Sequence, residues 1–359
     1  MNEQAGRRIY QEFGVAPVIN ASGFNLTVLG GRILSPQVSQ AMADANRYYV
    51  DMRALLASSG RIIANLMGAE AAYVTTGSCS GMALGTAACI AGTDPEKAAR
   101  LPDVEGMKHE VIVQKMHRNK YDRCVTVAGG KLIGVGDESG TTQEQIEAAI
   151  GDKTAAILYV GTPSGRPGSM DLKQVLHVAK KHGIPVIADA AGQVYPLERM
   201  KAFPAMGVDI TTHSGKYFGG PNSTGFVCGR QDLIDAVAMH SFIGFEYGPP
   251  RTFGRPMKID RQEVIAIVVA LREWLTMDHE QRFKTYKRRA ERLQKELQGV
   301  PNIETTLYGD PVLGVRVKFD EGAQARPPPR SARSSKRGTQ ALGSTGTSNC
   351  TSRLRSQAA

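Results

Sequence analysis

The sequence predicts an α/β fold: a mainly parallel sheet with helices on both faces, followed by a small α+β domain. Three observations predict it. From about residue 69, strand-like apolar runs alternate with helix-like stretches, as in AAYVT, EVIVQ, TAAILYV and IPVIADA. That alternation marks parallel strands joined by crossover helices. TAAILYV (154–160) and IPVIADA are continuously apolar, as strands covered on both faces must be. Polar residues gather just beyond strand ends, in TGSCSG and at His117, Asp189 and Lys216, where ligand sites of such sheets lie.

Residues 1–50 read as an N-terminal segment and helix. The irregular stretch APVINASGFNLTVLGGRILS precedes Ser35, a good N-cap, and Pro36, suited to the first helical position. Val38, Met42, Ala45 and Tyr49 follow at helical spacing. Residues 51–245 read as the large domain. A helix carrying Leu55, Ile62, Ile63 and Leu66 stops at Gly68. Strand AAYVT, the loop TGSCSG and the small-residue helix MALGTAACIA come next. EVIVQ and TAAILYV are strands, and a helix after Asp171 turns Leu172, Val175, Leu176 and Ala179 inward before Gly183. IPVIADA, VDITTHSGK and STGFVCG are further strands.

Residues 246–322 read as a small C-terminal domain, incomplete at its end. The loop GPPRTFGRPMKID leads into the apolar helix EVIAIVVALREWL. A long charged helix then lines up Phe283, Tyr286, Ala290, Leu293 and Leu297. A strand pair closes it, with Val315, Val317 and Phe319 alternating against Arg316 and Lys318. Residues 323–359 are rich in Ser, Arg, Pro and Gly without periodicity. Such a tail buries too little apolar surface to offset its ordering entropy and is expected to be disordered. It reads as a shifted reading frame or as a natural basic tail.

Composition narrows the function classes. At 42% hydrophobic and 22% charged residues the chain is an ordinary globular protein. No apolar run is long enough for a membrane helix, and the N-terminus lacks the apolar stretch of a secretory signal. Five scattered cysteines without a C-x-x-C pair argue against a disulfide framework or a metal site and for a reducing cytoplasm. The net charge is +10. Seven basic residues and no acidic one lie beyond residue 322, so residues 1–322 carry only +3, and nucleic-acid affinity is not expected of the body.

The stretch HSGKYFGGPNSTGFVCG sets Lys216 in a Gly-rich turn between strands, with Ser214 two residues before it. A lysine that loses its proton near neutral pH forms Schiff bases, and glycines let a bulky group approach the backbone. Asp189 in VIADAAGQVYP is a carboxylate at a buried strand end, which needs a cationic partner. Thr76, Gly77 and Ser78 open a helix after a strand, where backbone N–H groups suit a phosphate. His117 in VQKMHRNKYD follows a strand and is a candidate to stack on a planar cofactor and move protons. Each has a plain alternative when read alone: a surface lysine, a capping aspartate, a tight turn, a structural histidine.

Their order along the chain resembles that of the fold-type I enzymes dependent on pyridoxal 5′-phosphate. INASGFNLTVLGGRILSPQVSQAM, GAEAAYVTTGSCSGMALGTAACIAG, VQKMHRNKYD and HSGKYFGGPNSTG resemble the selenocysteine-synthase-like branch, nearer the D-glucosaminate-6-phosphate ammonia-lyase type than the true selenium transferases. The resemblance covers roughly residues 10–320. It implies pyridoxal phosphate on Lys216, Asp189 against the pyridine nitrogen, His117 stacked on the ring, and Ala191 on the other face. Gly77, Ser78 and Ser214, with Thr76 beside them, would hold the phosphate. Asn20, Arg255, Lys258 and Arg261 are candidates for the substrate; the last three are equally well read as a solvated loop.

The resemblance further implies a lyase acting on an amino acid or amino-sugar acid by α-proton abstraction and β-elimination, and a homodimer or larger homo-oligomer. The tRNA-binding domain of selenium transferases has no counterpart ahead of the first motif, so tRNA is not an expected partner. Other pyridoxal chemistry (transamination, racemisation, selenium or sulfur transfer) remains open. So does a non-catalytic binding protein whose tail contacts nucleic acid.

Overall fold

The computed structural model describes residues 3–248 and 251–320; the predicted tail 323–359 lies outside them. In chain order the elements are α1 (Glu3–Glu12), α2 (Pro36–Ala45), α3 (Met52–Met67), β1 (Ala71–Thr75), α4 (Gly77–Ala91), α5 (Pro95–Arg100), β2 (Glu110–Gln114), α6 (Arg123–Thr126) and β3 (Lys131–Val135). Then come α7 (Gln143–Ala149), β4 (Thr154–Val160), α8 (Leu172–His182), β5 (Val186–Asp189), α9 (Leu197–Ala205), β6 (Ile210–Ser214), β7 (Gly225–Gly229), α10 (Gln231–His240) and α11 (Phe242–Tyr247). The described chain ends with α12 (Arg261–Thr276), α13 (His279–Leu297), β8 (Ile303–Tyr308) and β9 (Gly314–Phe319).

The described backbone divides into two compact units, Asn25–Thr276 and a second made of residues 3–24 and 277–320. These divisions differ from breaks at residues 50 and 245. The reason is packing: α12 lies against both α2 and α3, so residues 25–50 and 261–276 share the core of the sheet unit.

The larger unit is built on one seven-stranded sheet, ordered β1-β7-β6-β5-β4-β2-β3. The run from β6 to β3 is parallel, and β7 lies antiparallel between β6 and β1. Helices cover both faces, as the apolar runs required. On one face Gly81 and Gly85 of α4 press against Thr212, Val227 and Ile210; a Cβ at Gly81 would stand 2.8 Å from Val227. That close approach explains the small-residue composition of α4. On the other face His213 meets Phe203 of α9, ring centroids 6.4 Å apart. A core of Ile157, Tyr159, Leu172, Val175, Val186 and Phe203 fills the region under α8 and α9.

Caps fall where the sequence put them. Ser35 accepts from the Val38 N–H, Asp171 from the Gln174 N–H, and Gly68 and Gly183 end α3 and α8 at φ 71° and 66°. Two details differ. The α2 helix stops at Ala45, so Tyr49 is off the helix and 96% exposed. On α3 the buried face is Leu56, Ser59, Gly60, Ile63, Ala64 and Met67, turned from the face led by Leu55. Gly60 fixes that rotation, because a Cβ there would lie 2.2 Å from the Ala72 carbonyl oxygen. The smaller unit contains the hairpin β8–β9, whose register pairs Ile303 with Phe319 and Leu307 with Val315.

Candidate functional site

The carboxyl edge of the parallel strands carries the site. Strand β6 ends at Ser214, and the chain turns at once through Gly215–Tyr217. Gly215 is required: a Cβ would stand 2.1 Å from Thr224 Oγ1. The turn closes on itself, with Gly215 N–H donating to Thr224 O at 2.8 Å and Gly220 N–H to Gly215 O at 2.8 Å. This fixes Lys216 beyond the strand end. Its Nζ donates to Thr27 Oγ1 at 2.7 Å, and Asn25 Nδ2 donates to its carbonyl at 2.9 Å. Partial burial lowers its pKa, the nearby Lys120 charge adds to that, and Cys79 opposes it.

Asp189 closes β5, the strand beside β6. Burial raises its pKa; the Ala191 N–H, donating to Oδ1 at 3.1 Å, and the Thr212 hydroxyl pull it back. The loop after Asp189 is laced to β6 by Ala190 N–H to Thr212 O at 3.1 Å and Ser214 N–H to Ala191 O at 3.2 Å. Ala191 and Ser214 are therefore neighbours.

Thr76 is the N-cap of α4, yet its side chain does not cap the helix. The hydroxyl pairs instead with Ser80 Oγ at 2.6 Å. The first-turn N–H groups thus keep their capacity for an outside acceptor. Gly77 has φ +83°, with open space where its Cβ would be. Strand β7 pins this turn from behind: a Cβ at Gly225 would lie 2.5 Å from the Gly77 carbonyl carbon and 2.6 Å from His213 O.

His117 follows β2 and is fully buried, at 0% exposure. Nδ1 accepts from the Val160 N–H at 3.4 Å, Nε2 has no partner, and the ring stands edge-on to Tyr159 at 5.0 Å. Burial, helped by the Arg166 charge, lowers its pKa to about 4. His117 is thus held neutral beside Tyr159 and Val160 at the carboxyl edge of the sheet.

Arg261 is engaged elsewhere, donating to Ala45 O, Asn46 O and Asn46 Oδ1 at 3.0–3.3 Å and lying over Tyr49. Arg255 pairs with Glu246 at 2.7 Å, and Lys258 is exposed. Asn20, in the other unit, folds on its own loop, donating to Phe24 O and accepting from Ser22.

Several site residues gave no sequence signal. Asn25 and Thr27 lie within INASGFNLTVLGGRILS, where only Asn20 was singled out. Cys79, in the first turn of α4, lies within reach of the Lys216 and Asp189 charges. Lys120 lies over the Tyr121 ring, and Arg166 donates to Met116 O at 2.9 Å, next to His117. The carboxyl edge of the sheet thus offers a less basic amine, a carboxylate whose burial calls for a cation, and an open helix N-terminus. That set fits a phosphorylated aldehyde carrying a protonated ring nitrogen.

Comparison with known proteins agrees. A 5'-C-glycyluridine monooxygenase-decarboxylase from Streptomyces sp. is 34% identical over 309 residues, 84% of this chain and 74% of its own. The D-glucosaminate-6-phosphate ammonia lyase of Salmonella typhimurium (strain 14028s / SGSC 2262) is 35% identical over 273 residues, covering 74% and 70%. An L-seryl-tRNA(Sec) selenium transferase of Moorella thermoacetica is more distant, 28% identical with 58% of its length covered. A solved structure of D-glucosaminate-6-phosphate ammonia-lyase superposes with a TM-score of 0.76 at 28% identity, covering 88% of this chain and 83% of that one. Residues 54–311 match the family described as Aminotransferase class-V. The chain belongs to that family, and it is a pyridoxal-phosphate-dependent enzyme.

Proposed function

We propose that this enzyme is a lyase that removes the α-hydrogen and a β-substituent from an amino acid or amino-sugar acid, ending in a keto acid and ammonia. The observation that carries the reading is the pairing of Lys216, an amine of lowered basicity, with Asp189, a buried carboxylate held by an N–H at 3.1 Å. When bound, pyridoxal phosphate supplies an electron-withdrawing system attached to the substrate nitrogen, which acidifies the α-carbon. Asp189 would hold the ring nitrogen protonated through its carboxylate. Thr76, Gly77 and Ser78 at the start of α4, with Ser214, would orient the phosphate through hydrogen bonds, and Ala191 would lie beside the ring.

Lys216 Nζ would hold the cofactor and would take the substrate's α-proton. Lys120 and Arg166 supply positive charge at the mouth and select an anionic substrate. His117 stays neutral at working pH and excludes water from the wall. The ammonia-lyase relative supports this reaction type, and its printed substrate, D-glucosaminate 6-phosphate, is the first compound to test.

We place the enzyme in the cytoplasm as a homo-oligomer, without tRNA. The four described cysteines are free, and no described helix is long and apolar enough to cross a membrane. Val28, Ile33 and Tyr49 are 87–96% exposed, which supports a subunit contact over the segment that holds Lys216.

The test is borohydride reduction of the cofactor-loaded protein followed by peptide mapping. A pyridoxyl group on Lys216, absent from Lys216→Ala, is expected, with ammonia and keto acid released from amino-sugar acids. An adduct elsewhere, or no adduct in folded protein, overturns the site.

A further inference from the structure

We propose that Thr27 is a positioning residue for proton transfer at Lys216: its hydroxyl oxygen holds the Nζ amine and favours the charged form that taking the substrate's α-proton creates. The inference rests on reading Lys216 as the base of the lyase reaction. Lys216 Nζ donates to Thr27 Oγ1 at 2.7 Å, the one hydrogen bond it makes among the described residues. The other groups around it are the Tyr217 ring, with its centroid 5.1 Å away, and the charges of Lys120 and Cys79.

The backbone around Thr27 is built to hold that contact. Thr27 opens a single 3₁₀ turn, Thr27–Leu29. Leu29 N–H donates to Leu26 O at 3.0 Å, Gly30 N–H to Thr27 O at 3.0 Å and Gly31 N–H to Leu26 O at 2.9 Å. Gly30 and Gly31 follow at φ 81° and 80°, which glycine adopts without strain. Ahead of the turn, Asn25 Nδ2 donates to the Lys216 carbonyl at 2.9 Å. Behind it, Gly31 lies on Asn222, where a Cβ would stand 2.6 Å from Oδ1 and 2.8 Å from the Asn222 Cβ. Residues 25–31 are thus a strap fastened at both ends to the segment 216–222, with Thr27 against the amine.

Proton transfer breaks the α-C–H bond and forms an N–H bond on Lys216. The electron pair stays with the substrate, and Nζ passes from a neutral amine to an ammonium. A hydroxyl oxygen accepts from both, but more strongly from the ammonium. The contact therefore gains strength as the proton moves, which is the condition for an interaction to speed a step rather than only tighten binding. It also fixes one N–H direction and so limits where the lone pair points. Lys216 needs both effects. Partial burial and the Lys120 charge hold its basicity down, which suits attachment to an aldehyde but makes a weaker base. Thr27 thus acts oppositely on the two uses of one nitrogen: it keeps Nζ charged and unreactive toward an aldehyde, and it draws the α-proton onto Nζ.

The test compares the wild type with Thr27→Val, Thr27→Ser and Gly31→Ala. In cofactor-free protein, labelling of Lys216 by acetic anhydride is measured across pH by peptide mapping. In cofactor-loaded protein, exchange of the α-hydrogen of D-glucosaminate 6-phosphate in D2O is followed by proton NMR. Thr27→Val should move the Lys216 titration about one pH unit lower and slow exchange at saturating substrate about tenfold, with KM nearly unchanged. Thr27→Ser keeps the oxygen and should restore both readouts. Gly31→Ala keeps the hydroxyl but pushes the strap off Asn222, and should move both readouts in the direction of Thr27→Val. An unmoved titration in Thr27→Val overturns the proposal, as does exchange within twofold of the wild type. So does faster exchange, the sign of a hydroxyl that donates to Nζ. A Gly31→Ala protein that matches the wild type on both readouts overturns the strap's part. If the wild type exchanges no α-hydrogen, the lyase reading fails instead, and the labelling still decides whether Thr27 holds Lys216 charged.

Discussion

Lys216 Nζ donates to Thr27 Oγ1 at 2.7 Å across 189 residues of sequence. The hydroxyl stabilises the charged amine, because a hydrogen bond to the protonated form favours that form. Thr27→Val should therefore shift adduct formation between Lys216 and pyridoxal phosphate to lower pH and speed it severalfold at neutral pH. Stopped-flow absorbance on cofactor-free protein reads this directly; an unshifted pH profile counts against the contact.

Asp189→Asn should have opposite effects on the empty and the loaded protein. Burial raises the Asp189 pKa, so its stabilising contribution is present below the ordinary carboxylate range and is lost as pH rises through the raised value. Near neutral pH the empty variant should gain on the order of 1 kcal/mol by shedding a poorly solvated charge. The loaded variant should lose about 3 kcal/mol of cofactor binding, roughly a hundredfold, because a buried pair loses one partner. Thermal melts with and without cofactor give both numbers. Equal shifts in the two states would speak against a ring-nitrogen partner.

Acid should destabilise the empty protein well above the carboxylate range. Burial holds His117 at about 4 and His213 at about 3, with His240 lowered as well. Groups lowered on folding stabilise the protein above their ordinary value, about 6.5, and that stability is lost as pH falls toward the folded values. Each contributes a slope of about 1.4 kcal/mol per pH unit in that window. His213 packs against Phe203 and Phe226, so His213→Phe should remove about one proton of slope in urea titrations between neutral and acid pH. An unchanged slope rules His213 out as a contributor.

Gly225→Ala should be costly for its size. The added methyl meets the backbone of Gly77 and His213, and neither is the far end of a flexible side chain. A loss of about 3 kcal/mol or more is expected for such overpacking, with cofactor retention falling further as the α4 turn is displaced. Urea unfolding and dialysis of the same sample separate the two effects; a fully stable variant contradicts the close approach.

Much of the fold was legible because local rules and global packing agree in it. TAAILYV and IPVIADA could only be strands covered on both sides, and Ser35, Asp171, Gly68 and Gly183 punctuate helices by backbone rules that act over three or four residues. The strand Lys131–Val135 was not read, since KLIGV lies at the sheet edge with only Val135 buried. The site was legible where one segment holds both a reactive side chain and its turn, as at Gly215–Lys216. It was not where the partner is remote. Nothing near Thr27 announces Lys216, 189 residues away. The full burial of His117 was not legible either, because burial of a single ring depends on neighbours such as Tyr159 that no local pattern reveals. Arg261, a substrate candidate in sequence, joins the start of α12 to the end of α2.

The pairing of β1 with β7, Ala71 opposite Gly229, bears on how the molecule is made. A ribosome delivers β1 long before its only neighbour in the sheet. Until residue 229 has emerged, the wholly apolar run Ala71–Val74 has unpaired N–H and C=O groups along both edges. Such a strand is a template for pairing with other chains. Slow synthesis or a stall between residues 75 and 225 should therefore promote aggregation, and chaperone demand should peak during translation of that interval.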